Sequence, residues 1–96
     1  AAVVDASPLA PGRAETSLVR ELERDTTASG VYPIVLVSYT IACTAYDDAA
    51  TAALVKEFLA YVASEEGQQV AAQAAGSAPI SDELRAEVLA IVDGIA

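Results

Sequence analysis

The sequence predicts an α/β fold in which one strong strand is followed by helices. Residues 31–44 are rich in β-branched and aromatic side chains, which favour a strand. Beyond them, apolar residues recur at helical spacing over residues 48–66, 68–75 and 82–93. Because residues 34–37 are apolar on both faces, we expect other layers of the fold to cover the strand on both sides.

Residues 1–30 predict an irregular lead-in to this strand. The stretch Ser7-Pro8-Leu9-Ala10-Pro11-Gly12 combines several turn formers and indicates a loop. Residues 16–24 fit a short helix through Leu18, Val19 and Leu22, and they fit a short strand through Leu18, Arg20 and Leu22 equally well. We therefore expect residues 1–96 to form a single segment whose regular structure lies in residues 31–96.

Helix boundaries are indicated by capping residues. Asp47 and Asp48 offer N-caps for the first long helix, and Ser81 offers one for the last. Gly67 interrupts the helical pattern, and Gly76 suits the left-handed position that ends a helix. The first long helix carries a broad apolar stripe of Leu54, Val55, Phe58, Leu59, Tyr61 and Val62, and the last carries Leu84, Val88, Ile91, Val92 and Ile95.

The charge balance restricts the possible partners. The chain has five Lys and Arg against fourteen Asp and Glu, which gives a net charge of −9. Nucleic acids and anionic membranes are bound through basic patches, and the sequence has none. We therefore expect no nucleic-acid partner, whereas a small anion could still be held by local dipoles. No apolar run is long enough to predict a membrane span.

Residue types also argue against an enzyme. The chain has no histidine and one cysteine, Cys43, so neither a zinc site nor a Cys/His pair can be assembled. We predict no catalytic, cofactor-binding or metal-binding residue and no cofactor. Because Cys43 lies in an apolar run, we expect it to be a small buried side chain.

The remaining polar candidates have ordinary structural interpretations. Arg13, Arg20 and Arg24 could clamp an anion, but their acidic neighbours favour surface ion pairs. The carboxylate pairs Asp47/Asp48, Glu65/Glu66 and Asp82/Glu83 are interpreted as helix caps or solvated surface residues. The stretch Gly76-Ser77-Ala78 lacks the additional glycines and the lysine of a phosphate-binding loop. Tyr32, Tyr39 and Tyr46 fit core packing and a cleft wall equally well.

The predicted strand needs β partners that the rest of the chain cannot supply. A buried strand must have its main-chain groups hydrogen-bonded on both edges, and each orphaned group costs about 1–3 kcal/mol. The other segment with any strand character, residues 16–24, would give at most a two-stranded ribbon, which is marginal in water. We therefore expect the chain to be a fragment of a larger protein or to pair with another copy. The sequence contains no methionine and begins at Ala1, which suggests a processed, engineered or proteolytic start.

Three stretches from Tyr32 onward resemble one family. They are Tyr32-Pro33-Ile34-Val35-Leu36-Val37-Ser38-Tyr39-Thr40-Ile41-Ala42-Cys43, then Leu54-Val55-Lys56-Glu57-Phe58-Leu59-Ala60-Tyr61-Val62 with Ser64-Glu65-Glu66-Gly67-Gln68-Gln69, and Gly76-Ser77-Ala78-Pro79-Ile80-Ser81-Asp82-Glu83-Leu84-Arg85. In this order they resemble the C-terminal end of the phosphate-binding proteins (PstS-type) of bacterial phosphate ABC transporters, closest to the actinobacterial branch.

The resemblance implies a parent with the type II periplasmic-binding-protein fold. Such a protein would be extracytoplasmic, would enclose phosphate between two lobes and would deliver it to a membrane permease. The family's phosphate ligands lie in earlier parts of the chain and have no match here, so no ligand residue is assigned. Two alternatives remain: a free-standing structural or interaction domain that oligomerises through strand pairing, and the C-terminal part of a binding protein for another oxyanion, such as sulfate or molybdate.

Overall fold

Helices account for the regular structure of the chain, which the computed structural model describes over all 96 residues. They are α1 (Ala2–Ala6), α2 (Ala49–Ala63), α3 (Glu65–Ala75) and α4 (Asp82–Asp93). The β pairing is limited to one isolated antiparallel bridge between Leu9 and Arg20. The chain divides into two compact units, Ala1–Thr40 and Ile41–Ala96.

The predicted α/β fold is therefore wrong, and so is the type II periplasmic-binding-protein fold implied by the resemblance. Residues 31–44 contain no strand. The reason is that strand propensity alone does not make a strand, because a strand exists only where a neighbour accepts and donates its main-chain hydrogen bonds. No segment of this chain pairs with residues 31–44 as a strand, and the one main-chain bond to a distant residue there is from the N–H of Ala96 to the carbonyl of Thr44.

The first unit is organised around the buried Ser7. Its hydroxyl donates to the carbonyl of Val3 at 2.5 Å and accepts from the N–H of Glu23 at 3.0 Å. Its own carbonyl accepts from Nη1 of Arg20 at 2.8 Å. Val3, on α1, is likewise buried. The short helix α1 lies where an irregular lead-in was expected, and its single turn is held by these contacts of Ser7.

Residues 16–24 form neither of the two predicted elements. The N–H of Ala10 donates to the carbonyl of Val19 at 2.8 Å, and the N–H of Glu21 donates to the carbonyl of Pro8 at 2.9 Å. These two bonds flank the bridge of Leu9 with Arg20. Pro8 and Pro11 lack N–H donors, which limits the length of this pairing to a single bridge.

Capping residues set the helix boundaries of the second unit. Asp48 is the N-cap of α2, and its carboxylate accepts from the N–H groups of Ala50 and Thr51. Ser81 is the N-cap of α4 and accepts from the N–H of Leu84 at 3.2 Å. Gly76 ends α3 with φ of 67°, a left-handed conformation that favours glycine. These three predicted caps are confirmed, and α4 occupies the predicted range.

The break between α2 and α3 lies at Ser64, not at Gly67 as predicted. Ser64 has an extended backbone, its hydroxyl donates to the carbonyl of Tyr61 at 2.6 Å, and it caps α3 by accepting from the N–H of Gly67 at 3.0 Å. Gly67 is buried in the first turn of α3. A Cβ there would overlap the carbonyl oxygen of Tyr61, so glycine permits the close approach of the two helices.

The core of the second unit is built from small side chains. α2 contacts both α3 and α4, and Ala52, Ala63 and Val92 are buried between the helices. Two basic side chains connect α2 with α4. Lys56 reaches the C-terminal end of α4, and Nε of Arg85 donates to the carbonyl of Ala63 at 3.2 Å. The core is thin, because no large side chain is fully buried.

Substitution Gly67→Ala should lower the free energy of unfolding by about 2 kcal/mol, because the added methyl group overlaps main-chain atoms that cannot rotate away. Urea unfolding followed by circular dichroism measures the effect. Gln73→Ala, at an exposed position of α3, is the matched control and should change the free energy by less than about 0.5 kcal/mol. Equal stability of Gly67→Ala and the parent chain would contradict the close approach at Tyr61.

Candidate interaction surface

Residues 31–38 form an extended segment with two different faces. Val31, Pro33, Val35 and Val37 are half-buried, whereas the residues between them are exposed. The alternation has a period of two, which is typical of an extended chain. The outward face carries large apolar side chains: Tyr32 is 67% exposed, Ile34 76% and Leu36 92%. The segment thus presents an apolar ridge to solvent.

The main chain of the same segment is mostly without partners. Between residues 34 and 40, the N–H of Val35 alone donates a hydrogen bond, to the carbonyl of Pro33 at 3.1 Å. The carbonyl of Val35 accepts from Nη1 of Arg24 at 3.1 Å. Neither the N–H nor the carbonyl of Ile34, Leu36, Ser38 or Thr40 is used within the chain. On the odd-numbered edge Val37 and Tyr39 also lack main-chain partners, so only the even-numbered edge is open along its whole length.

Helix α2 carries a second uncovered apolar surface. Val55 and Leu59 are half-buried towards the other helices, on the side of Ala52 and Ala63. The rest of the predicted stripe, Leu54, Phe58, Tyr61 and Val62, lies on another face of the helix and is exposed, with Phe58 61% exposed. The predicted stripe is thus too wide for one contact, and four of its six residues have no cover within their unit.

The helix N-termini carry carboxylates, as predicted. At α2, Asp48 accepts from the hydroxyl of Thr51 and from the N–H groups of Thr51 and Ala50, and these bonds lower the pKa of Asp48. The first turns of α3 and α4 contain Glu65 with Glu66 and Asp82 with Glu83, respectively. A negative ligand at any of these helix ends would meet a carboxylate before it met a free N–H.

The arginines of the first unit bind main-chain carbonyls. Arg20 donates to the carbonyl of Ser7, and Arg24 donates to the carbonyl of Val35. Arg13 is exposed in a turn. The structure does not bring the three guanidinium groups to a common ligand, so they do not form the anion clamp considered from the sequence.

Cys43 and the tyrosines are more exposed than the sequence suggested. Cys43 is a free, exposed cysteine, so the prediction of a buried side chain is wrong. The hydroxyl of Tyr39 accepts from the N–H of Arg20 at 3.1 Å, and that of Tyr46 accepts from the N–H of Cys43 at 3.1 Å. Tyr46 is half-buried, and Tyr32 points into solvent.

No group of three or more His, Cys, Asp or Glu side chains is placed to hold a metal ion. None of the helices is both long and apolar enough to span a membrane. Gly76 is the C-cap of α3, and Ser77-Ala78 belong to the irregular stretch before α4, so these residues form a helix end and not a phosphate loop.

Comparison of the chain with protein-family models, with curated proteins and with solved structures gave no match.

One ion pair links the middle of α2 to the C-terminal end of α4 and makes stability depend on pH. Nζ of Lys56 lies 2.8 Å from Oδ1 of Asp93 and donates to its carbonyl at 2.6 Å. The hydrogen bond and charge of Lys56 lower the pKa of Asp93. The carboxylate therefore stabilises the fold above the pKa of Asp93 in the unfolded chain, and this contribution is lost as the pH falls through the folded value.

Substitution Asp93→Asn should lower the thermal midpoint at about pH 7, and the difference from the parent chain should shrink as the pH falls below the ordinary range of an aspartate carboxyl and through the lowered pKa of Asp93. Thermal unfolding by circular dichroism at a series of pH values measures this difference. Asp47→Asn removes a nearby carboxylate that makes no hydrogen bond or ion pair, and it serves as the control. A difference for Asp93→Asn that does not vary with pH would contradict the ion pair.

Proposed function

We propose that the chain is a structural part of a larger extracytoplasmic phosphate-binding protein that serves ABC-type phosphate import. In this role it binds no phosphate itself. It supplies packed helices and an extended apolar segment that other parts of the parent protein cover. Phosphate and the membrane permease are then partners of the whole protein and not of these 96 residues.

The observation that carries the proposal is the amount of apolar surface left uncovered. Tyr32, Ile34 and Leu36 expose a ridge in the first unit, and Leu54 and Phe58 expose a helix face in the second. Scattered exposed apolar residues are ordinary, but contiguous groups of large ones mark surfaces that contact another protein or segment. Two such groups on 96 residues support a unit that is completed by other chain segments.

The electrostatics support the absence of a phosphate site. Each of the three long helices begins with a capped N–H and one or more carboxylates, and the net charge is −9. Four of the five basic side chains have assigned partners within the chain: Arg20, Arg24, Lys56 and Arg85. Phosphate recognition needs converging donors free to turn to the ligand, and none converge here.

The choice of phosphate rests on the sequence resemblance of residues 32–43, 54–69 and 76–85. The resemblance supports only the activity and the extracytoplasmic location of the parent protein. It does not assign the parent's fold to this chain. A binding protein for a different oxyanion is the rival within the same class. The specificity loops of such proteins would lie outside these residues, so the rival leaves the proposed role of this chain unchanged.

The 96-residue chain should show no heat of binding when titrated with inorganic phosphate by calorimetry, because it lacks converging anion donors. Sulfate is the matched control ligand and should behave in the same way. Saturable phosphate binding with a dissociation constant of about 1 µM or tighter would contradict the proposal.

The two faces of α2 should respond differently to truncation. Leu59→Ala, on the half-buried face, should lower the free energy of unfolding by about 2 kcal/mol through lost packing. Phe58→Ser, on the uncovered face, should change it by less than about 0.5 kcal/mol. Urea unfolding of the two variants side by side measures the contrast. A larger loss for Phe58→Ser would show that this face is already covered.

A further inference from the structure

Residues 34–40 form a pairing site with one edge that is open along its whole length. In an extended chain the main-chain groups of alternate residues lie on the same edge. The even-numbered Ile34, Leu36, Ser38 and Thr40 leave both their N–H and carbonyl unused. On the other edge, both main-chain groups of Val35 are used, by Pro33 and by Arg24. Val37 and Tyr39, also on that edge, leave their main-chain groups unused, so the edges differ at Val35. The even-numbered edge is therefore the one that can accept a strand along its whole length.

The segment carries its own cover for one face. Val31, Pro33, Val35 and Val37 are half-buried within the first unit, whereas Tyr32, Ile34 and Leu36 are exposed on the other face. An isolated two-stranded ribbon is marginal in water because both of its faces are solvated. A strand added to this edge would join a ribbon that is already packed on one side.

The absence of charge indicates which partner fits. The chain has a net charge of −9, yet residues 31–46 contain no charged residue. Two copies would repel one another over most of their surfaces, and this stretch is where they can approach without placing like charges together. Residues 34–40 also lack proline and glycine, a composition typical of segments that pair with identical copies.

We infer that two copies of the chain pair through residues 34–40 in an antiparallel arrangement centred on Val37. In this register Ile34 lies opposite Thr40 of the second copy, and Leu36 lies opposite Ser38. All four belong to the open edge, so every unused donor meets an unused acceptor. Pro33 belongs to the odd-numbered set, so its missing N–H removes no bond. A two-fold pair uses the same patch twice and closes.

The same geometry limits the assembly to two copies. After pairing, the even-numbered edges are used, and Val35 in each copy remains bonded to Pro33 and Arg24. The odd-numbered edge then offers only Val37 and Tyr39, which is too short a stretch to hold a third strand, so this pairing does not propagate into a fibre. The inference concerns the isolated chain and does not depend on phosphate, so it stands or falls separately from the proposed function.

Sedimentation equilibrium of the 96-residue chain between about 1 µM and 300 µM should show a reversible monomer–dimer equilibrium. Leu36→Lys should raise the dimer dissociation constant at least about tenfold, because it places a charge in the pairing site of both copies. Leu36 is 92% exposed, so the monomer fold tolerates the change. Leu54→Lys makes the same charge change on α2, where Leu54 is 71% exposed, and should leave dimerisation unchanged.

Amide hydrogen exchange at high and low concentration tests the register. In the dimer, the N–H groups of Ile34, Leu36, Ser38 and Thr40 should be protected, and those of Val37 and Tyr39 should not. A chain that stays monomeric over the whole range would overturn the inference. So would growth beyond a dimer, loss of the dimer with Leu54→Lys but not with Leu36→Lys, or protection without this alternation.

Discussion

The structure depends on one constraint: main-chain hydrogen bonds in an extended chain need a neighbour, whereas those in a helix do not. α2, α3 and α4 satisfy their own N–H and carbonyl groups, with Asp48, Ser64 and Ser81 completing the first turns. They therefore form wherever the sequence favours them. Residues 31–44 have the opposite requirement, and without a neighbour they remain extended and irregular despite their strand-forming composition.

This difference explains which parts of the fold could be predicted from the sequence. Capping is local, so the boundaries set by Asp48, Gly76 and Ser81 were predictable from a few residues. The break at Ser64 was missed because Gly67 is the stronger helix breaker by propensity. In the structure Gly67 serves the close approach of the helices, and the serine hydroxyl makes the turn. Tertiary contact decided that boundary, and propensity did not.

The candidate surface could be predicted only in part. Composition placed residues 34–37 in a buried strand, whereas Ile34 and Leu36 are largely exposed. The same error made Cys43 a buried side chain, although it is exposed. Burial depends on which other segments are present to pack against. Apolar composition indicates only how much free energy a segment would gain if it were buried. The width of the apolar stripe on α2 was the one signal that this helix has two apolar faces.

A thin core and open apolar surfaces have a common physical cause. Apolar residues make up 54% of the chain, but many are alanines, which bury little area each, while the large side chains Tyr32, Leu36, Leu54 and Phe58 lie outside the two units' interiors. Burying a large apolar side chain contributes about 1.5–3 kcal/mol of stabilisation, and the exposed ones do not make this contribution within the chain. A substantial part of the available hydrophobic stabilisation can therefore come only from contacts with another molecule or segment. A polypeptide of this composition gains more free energy from contact with a partner than from further internal packing. In the extended segment, residues 31–38, the outward side chains and most main-chain groups both lack contacts within the chain.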